Sequence, residues 1–214
     1  MMMVALALLA ASPVRAQETQ DQAPDYSTEK LEQLVATIAL YPDDLVSQIL
    51  MASTYPLEVV EADRWTKSKS PSLTGDSLAK ALNEQTWDAS VKSLVNFPDV
   101  LDMMSNDLDW MTKLGDAFIA SQEDVLAAIQ RLRQRASEAG NLESSEQQNV
   151  PVESGPSQTI VIESPSPDVV YVPTYNPTVV YGAWPYPAYP PYAYYPPGYN
   201  AAAAAAVSFG VGVA

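Results

Sequence analysis

Five aspartates crowd into one stretch of the chain: Asp99, Asp102, Asp107, Asp109 and Asp116. Paired carboxylates are the raw material of acid/base chemistry, and glycoside hydrolysis needs two of them facing each other across a sugar-sized cleft. The spacing here argues for a plainer use. Acids near helix starts serve as caps and as partners of the helix dipole, so the five are expected to be structural. Asn106, Asp107 and Asp109 also have the superficial look of a calcium loop. They lack the glycine and the closing glutamate that an EF-hand requires, so no metal site is expected.

Composition removes other chemistries. The 214 residues include no His and no Cys, which excludes thiol nucleophiles, Ser-His-Asp triads and the usual zinc sites. A phosphate-binding Gly-rich loop, a G-x-S-x-G elbow and an S-x-x-K pair are all missing. The expectation is a chain with no catalytic residues and no cofactor. Its formal net charge is −15, with no Lys/Arg cluster to neutralise phosphates, so neither nucleic acid nor an anionic headgroup is an expected partner.

The aromatic residues fall into two sets. Trp65, Trp87 and Trp110 sit within helical patterns and are expected at the core or its edge, although tryptophans beside charges can also stack on sugar rings. Trp184, Tyr186, Tyr189, Tyr192, Tyr194, Tyr195 and Tyr199 lie in a stretch with no apolar surroundings of its own. Rings with one wet end suit a membrane interface, a glycan or a partner's groove, and these seven are the candidate contact surface.

Helices must position the first set. Leu31, Leu34, Val35, Ile38 and Ala39 recur at the spacing of one helix face, with Ser27 as N-cap, Tyr26 and Leu31 placed as a staple, and Pro42 as the stop. Pro42-Asp43-Asp44 opens a second helix, Pro56 a third, and shorter segments follow around Leu78–Leu82, Val91–Val95 and Asp99–Met104. A longer helix is expected from about Asp107 to Ala139, with Gly115 as a candidate kink and Gly140 as a left-handed cap. The phrases Tyr41-Pro42-Asp43-Asp44 and Phe97-Pro98-Asp99-Val100 are either two independent Pro-initiated starts or an old duplication.

The fold class read from this pattern is mainly α: a compact multi-helix domain, then a small β-hairpin or meander, then a Pro/Tyr-rich extended, low-complexity C-terminal segment. Residues 1–16 read as a secretory signal, with a short apolar run and a small-x-small site before Gln17; a buried helix is the alternative. A polar leader (17–26), an acidic all-α domain (27–140) and a polar linker (141–158) follow. Thr159–Glu163, Val169–Val172 and Thr178–Tyr181 then have the short β-branched look of strands, making a β element over 159–182.

Residues 183–200 favour extended polyproline II and would form a stiff arm reaching on the order of 50 Å; a structureless tail is the alternative. The apolar segment 201–214 is too short to cross a bilayer alone. It reads as part of an anchor or as a packing segment.

The runs LEQLVATIALYPDDLVSQILMASTYPLEVVEADRW (31–65), VNFPDVLDMMSNDLDWMTKLGDAF (95–118) and VVYVPTYNPTVVYG (169–182) followed by WPYP resemble the bacterial family called domain of unknown function 3300. The resemblance spans about Leu31 to Ala214. It implies an exported or membrane-associated protein and supplies no catalytic residues to carry over. Family members often continue into a longer Gly/Ala segment and a polar tail, whereas Ala214 is the last residue here.

Together these readings give an exported protein of the Gram-negative cell envelope, periplasmic or membrane-associated. It is expected to bind or scaffold, held near an envelope protein, membrane or glycan surface. The competing expectations are an envelope polysaccharide hydrolase using carboxylates and a non-catalytic glycan-binding protein.

Overall fold

In the computed structural model, residues 26–69, 72–153, 158–167, 169–196, 199 and 207–213 are described, the last three of these by their backbone only. The signal reading of residues 1–16, the leader up to residue 25 and the alanine run 201–206 lie outside them.

The fold is mainly helical. Its helices are α1 (Thr28–Val35), α2 (Asp43–Ala52), α3 (Pro56–Lys69), α4 (Gly75–Asn83), α5 (Ala89–Leu94), α6 (Pro98–Asn106), α7 (Leu108–Ala120) and α8 (Gln122–Glu138). Each start carries a recognisable signal. Pro56 and Pro98 open α3 and α6, Asp43 and Asp44 fill the first turn of α2, and Asp88 and Asp107 accept backbone N–H groups at the heads of α5 and α7. The apolar faces of α1, α2, α5, α6, α7 and α8 enclose one core, with α1 against α8, α2 against α5 and α3 against α6.

The first helix stops sooner than its periodicity predicts. After Val35 the chain tightens into a turn, with Ile38 and Ala39 both donating to the Val35 carbonyl and Tyr41 to that of Ile38. This turn lies in the core, and its carbonyls bond to side chains from far along the sequence instead of extending a helical ladder.

The long helix expected over 107–139 is two helices. Ser121 adopts an extended backbone between them, and its hydroxyl donates to Asp124 at 2.7 Å. Ser121-x-x-Asp124 is a capping pattern, and with Glu123 it gives α8 its own N-terminus. Gly115 does not kink α7. It permits close packing, because a Cβ there would stand 2.3 Å from the Ser53 carbonyl oxygen in the α2–α3 turn. At the far end of α8, Gly140 (φ 73°) closes a Schellman motif, with Asn141 N–H on the Ala136 carbonyl and Gly140 N–H on that of Ser137.

Two strand pairs follow. β1 (Val152–Glu153) pairs antiparallel with β2 (Thr159–Ile160), and β3 (Val169–Tyr175) pairs antiparallel with β4 (Val207–Val213), in a register that sets Val169 opposite Val213 and Tyr175 opposite Val207. The apolar segment expected to anchor or pack thus supplies a strand. Among the described residues no helix is long and apolar enough to cross a membrane.

Thr178–Tyr181, expected as a strand, is mostly the short helix α9 (Pro177–Val180). Pro177 fits its first position and the Asn176 side chain accepts from Thr178 N–H, which outweighs the β preference of two valines. Residues 141–153, expected as part of a linker, are tied down. Leu142 and Gln148 are buried, and Asn149 exchanges both backbone bonds with Glu163.

Candidate functional site

The Pro/Tyr stretch is extended, as expected, yet it does not project. It lies as a strap across the helices. Gln33 Nε2 donates to the Pro190 carbonyl at 2.6 Å and Thr37 Oγ1 to that of Tyr192 at 2.7 Å, both from the α1 side. Proline explains why the strap needs such partners: a chain without N–H groups cannot build its own ladder, so its carbonyls seek donors elsewhere.

The seven candidate contact residues divide accordingly. Trp184, Tyr192 and Tyr194 pack against the core. Trp184 Nε1 donates to the Tyr189 carbonyl at 2.9 Å, and its ring meets Tyr186 edge-on. Tyr186 lies under the Arg135 guanidinium at 5.6 Å. The Tyr194 hydroxyl donates to Asp102 at 3.1 Å; burial, and then the Asp102 charge, raises its pKa. Tyr195 and Tyr199 stack on each other at 5.2 Å, with Tyr195 exposed.

Deeper in, the strap continues a chain of rings. Trp184 leans on Tyr181, Tyr181 meets Tyr175 at 6.0 Å, and Tyr175 meets Tyr41 at 6.5 Å. The Tyr175 hydroxyl donates to the Ala36 carbonyl and accepts from Leu40 N–H, while the Tyr181 hydroxyl lies 2.7 Å from the same carbonyl. These are the carbonyls of the turn that follows α1. Burial holds Tyr41, Tyr175 and Tyr181 well above the ordinary tyrosine pKa.

Two buried charge clusters went unread in the sequence. Arg133 donates to the carbonyls of Ala39, Tyr41 and Ile160 at 2.8, 3.1 and 2.9 Å and pairs with Asp43. Glu32, fully buried, lies 2.7 Å from both Arg131 and Arg135. The signal was present: Arg133 falls four residues after Ile129, on the buried stripe of α8.

The five aspartates have separate partners or positions. Asp102 pairs with Lys67 at 2.6 Å, and that bond is the main cause of its lowered pKa; Lys67 also reaches Asp63 at 2.8 Å. Asp107 accepts from Trp110 N–H, Asp109 pairs with Lys113, and Asp99 lies in the first turn of α6. The tryptophans sit at the core and its edge, with Trp110 Nε1 on the Leu34 carbonyl at 2.8 Å and Trp65 edge-on to Trp87 at 5.9 Å.

What the helices leave open is a groove of about 690 Å³ between the head of α2, the α5–α6 turn and the extended backbone 161–167. Pro42, Asp43 and Asp44 form one side and Phe97 another, so the two aromatic-Pro-Asp phrases meet at this groove. Gln48, Asn96 and Glu163 line it as well. Sequence reasoning missed these three, because no spacing rule links them. Gln48 Oε1 is buried with no hydrogen-bond donor among the described residues.

No solved structure matches the chain. The chain is 49% identical over 125 residues to the uncharacterized protein YacH of Escherichia coli strain K12; the match covers 58% of this chain and 20% of that relative. This chain thus aligns with about a fifth of the relative's length. A family model described as protein of unknown function (DUF3300) matches residues 27–214. On that match, which takes in the helices, the ring chain, the strap and the β3–β4 pair, the chain belongs to the DUF3300 family.

Proposed function

We propose that the chain is a non-catalytic binding or scaffolding module of the bacterial cell envelope, and that it makes contact through the groove between α2 and the 161–167 wall. The groove carries this reading. Its volume of about 690 Å³ falls in the range typical of ligand sites, and its lining mixes apolar and polar side chains as such sites do. A signal-like N-terminus supports export.

The polysaccharide hydrolase is less well supported. It needs two carboxylates facing across a cleft, whereas Asp102, Asp107 and Asp109 are each engaged with a different structural partner. The strap aromatics give a contact surface only at their outer end, where Tyr195 is exposed.

Photo-crosslinking in living cells tests the reading. With a crosslinking side chain at Ser93, in the groove, the expected outcome is an adduct with an envelope component and recovery of the chain from the envelope fraction. The same probe at Glu84, on α4 away from the groove, should give none. Recovery from the cytoplasmic fraction, or equal adducts from both positions, would overturn the proposal.

A further inference from the structure

The lining of the groove narrows what it takes. We infer that its occupant is an extended peptide segment of a partner, with lysine or arginine side chains alternating with apolar ones. This rests on the binding-module reading and names the ligand class of the same groove.

Charge, shape and an unfilled acceptor converge on it. Asp43, Asp44 and Glu163 line the groove together with no lysine or arginine. Asp43 is already paired with Arg133, while no ion pair engages Asp44 or Glu163 among the described residues. A cationic ligand is therefore favoured, and an anionic one is repelled by a chain of net charge −15. Between the acids stand Leu45, Phe97, Val161 and Val170, which suit apolar side chains.

The wall itself indicates an extended ligand. Residues 161 and 163 use their N–H groups on the Pro151 and Asn149 carbonyls, so this segment runs as a strand does, and the Ile162 carbonyl turns to the α2 side to accept from Asp43 N–H. A ligand lying beside such a wall presents side chains at the same period of two. The buried Gln48 Oε1 lacks a donor. A ligand N–H would satisfy an acceptor that is costly to leave unpaired.

The test uses the full chain and a fluorescent octapeptide of alternating lysine and valine, with an alternating glutamate–valine octapeptide as the charge-reversed probe. Saturable binding of the first and none of the second is expected. Asp44→Asn combined with Glu163→Gln should weaken binding about tenfold, the product of two partly exposed charge contacts. Asp76→Asn with Glu84→Gln, on α4, should leave it unchanged, and Asn96→Trp should block it by filling the groove. If Asn96→Trp does not fold, the two double variants decide.

Absence of saturable binding, or equal loss from both acid pairs, overturns the inference. Two failures are distinguishable. If the Ser93 probe captures an envelope component while the octapeptide does not bind, the ligand class falls and the binding module stands; if neither occurs, both fall.

Discussion

Arg133 ties four parts of the molecule together through one planar group, reaching two carbonyls of the turn after α1, one of β2 and the carboxylate at the head of α2. Lysine cannot substitute, since a single ammonium does not span carbonyls set around a fork. Removing the guanidinium leaves those acceptors and Asp43 in the interior without their donor. Arg133→Ala should therefore cost roughly 3–5 kcal/mol of stability, and Arg133→Lys much of the same, both read from urea unfolding midpoints. If Arg133→Lys unfolds at the wild-type midpoint, the fork geometry is not what matters. Gln130 completes the arrangement: its side-chain amide bonds to both the N–H and the carbonyl of Ile160, as a neighbouring strand would.

At the scale of elements, the closest approach is between α7 and the α2–α3 turn. Alanine is the better helix former by about 1 kcal/mol, but at Gly115 its Cβ would stand 2.3 Å from the Ser53 carbonyl oxygen. Backbone meets backbone there, so neither side yields cheaply. Gly115→Ala should be net destabilising by roughly 1–3 kcal/mol, against a gain at an exposed helical site, and a raised thermal midpoint would refute the packing account. Helix starts were legible in the sequence because Pro42, Pro56, Pro98, Asp88 and Asp107 act locally. The break at Ser121 was legible too, but the apolar periodicity across it hid the cap. The short helix at Pro177 had its Asn-Pro signal, overshadowed by Val179 and Val180. β4 was not legible as a partner: Val207, Phe209, Val211 and Val213 alternate with small residues, yet nothing local says that β3 lies opposite. The groove was hidden for a related reason, since its sides come from α2, the α5–α6 turn and the 161–167 wall, and only the finished fold brings them together.

For the molecule as a whole, the ring chain couples protonation to folding. Burial raises the pKa of Tyr41, Tyr175 and Tyr181 above the ordinary value of 10.0. Below pH 10 both folded and unfolded chains hold these protons, and stability is unaffected. Above it the unfolded chain releases them first, so stability falls as pH rises toward the folded pKa values. The tyrosinate absorbance of these three residues should appear in the same step as the loss of helical ellipticity, and a smooth titration with the ellipticity intact would contradict this. The same hydroxyls have another consequence, for the order of synthesis. The Ala36 carbonyl receives its partner from Tyr175, 139 residues later, so a ribosome that has made every helix of the acidic domain has still not made the groups that close its first turn. A nascent chain that stops short of Tyr175 must keep that crease hydrated, and the core settles only when the last third of the polypeptide arrives.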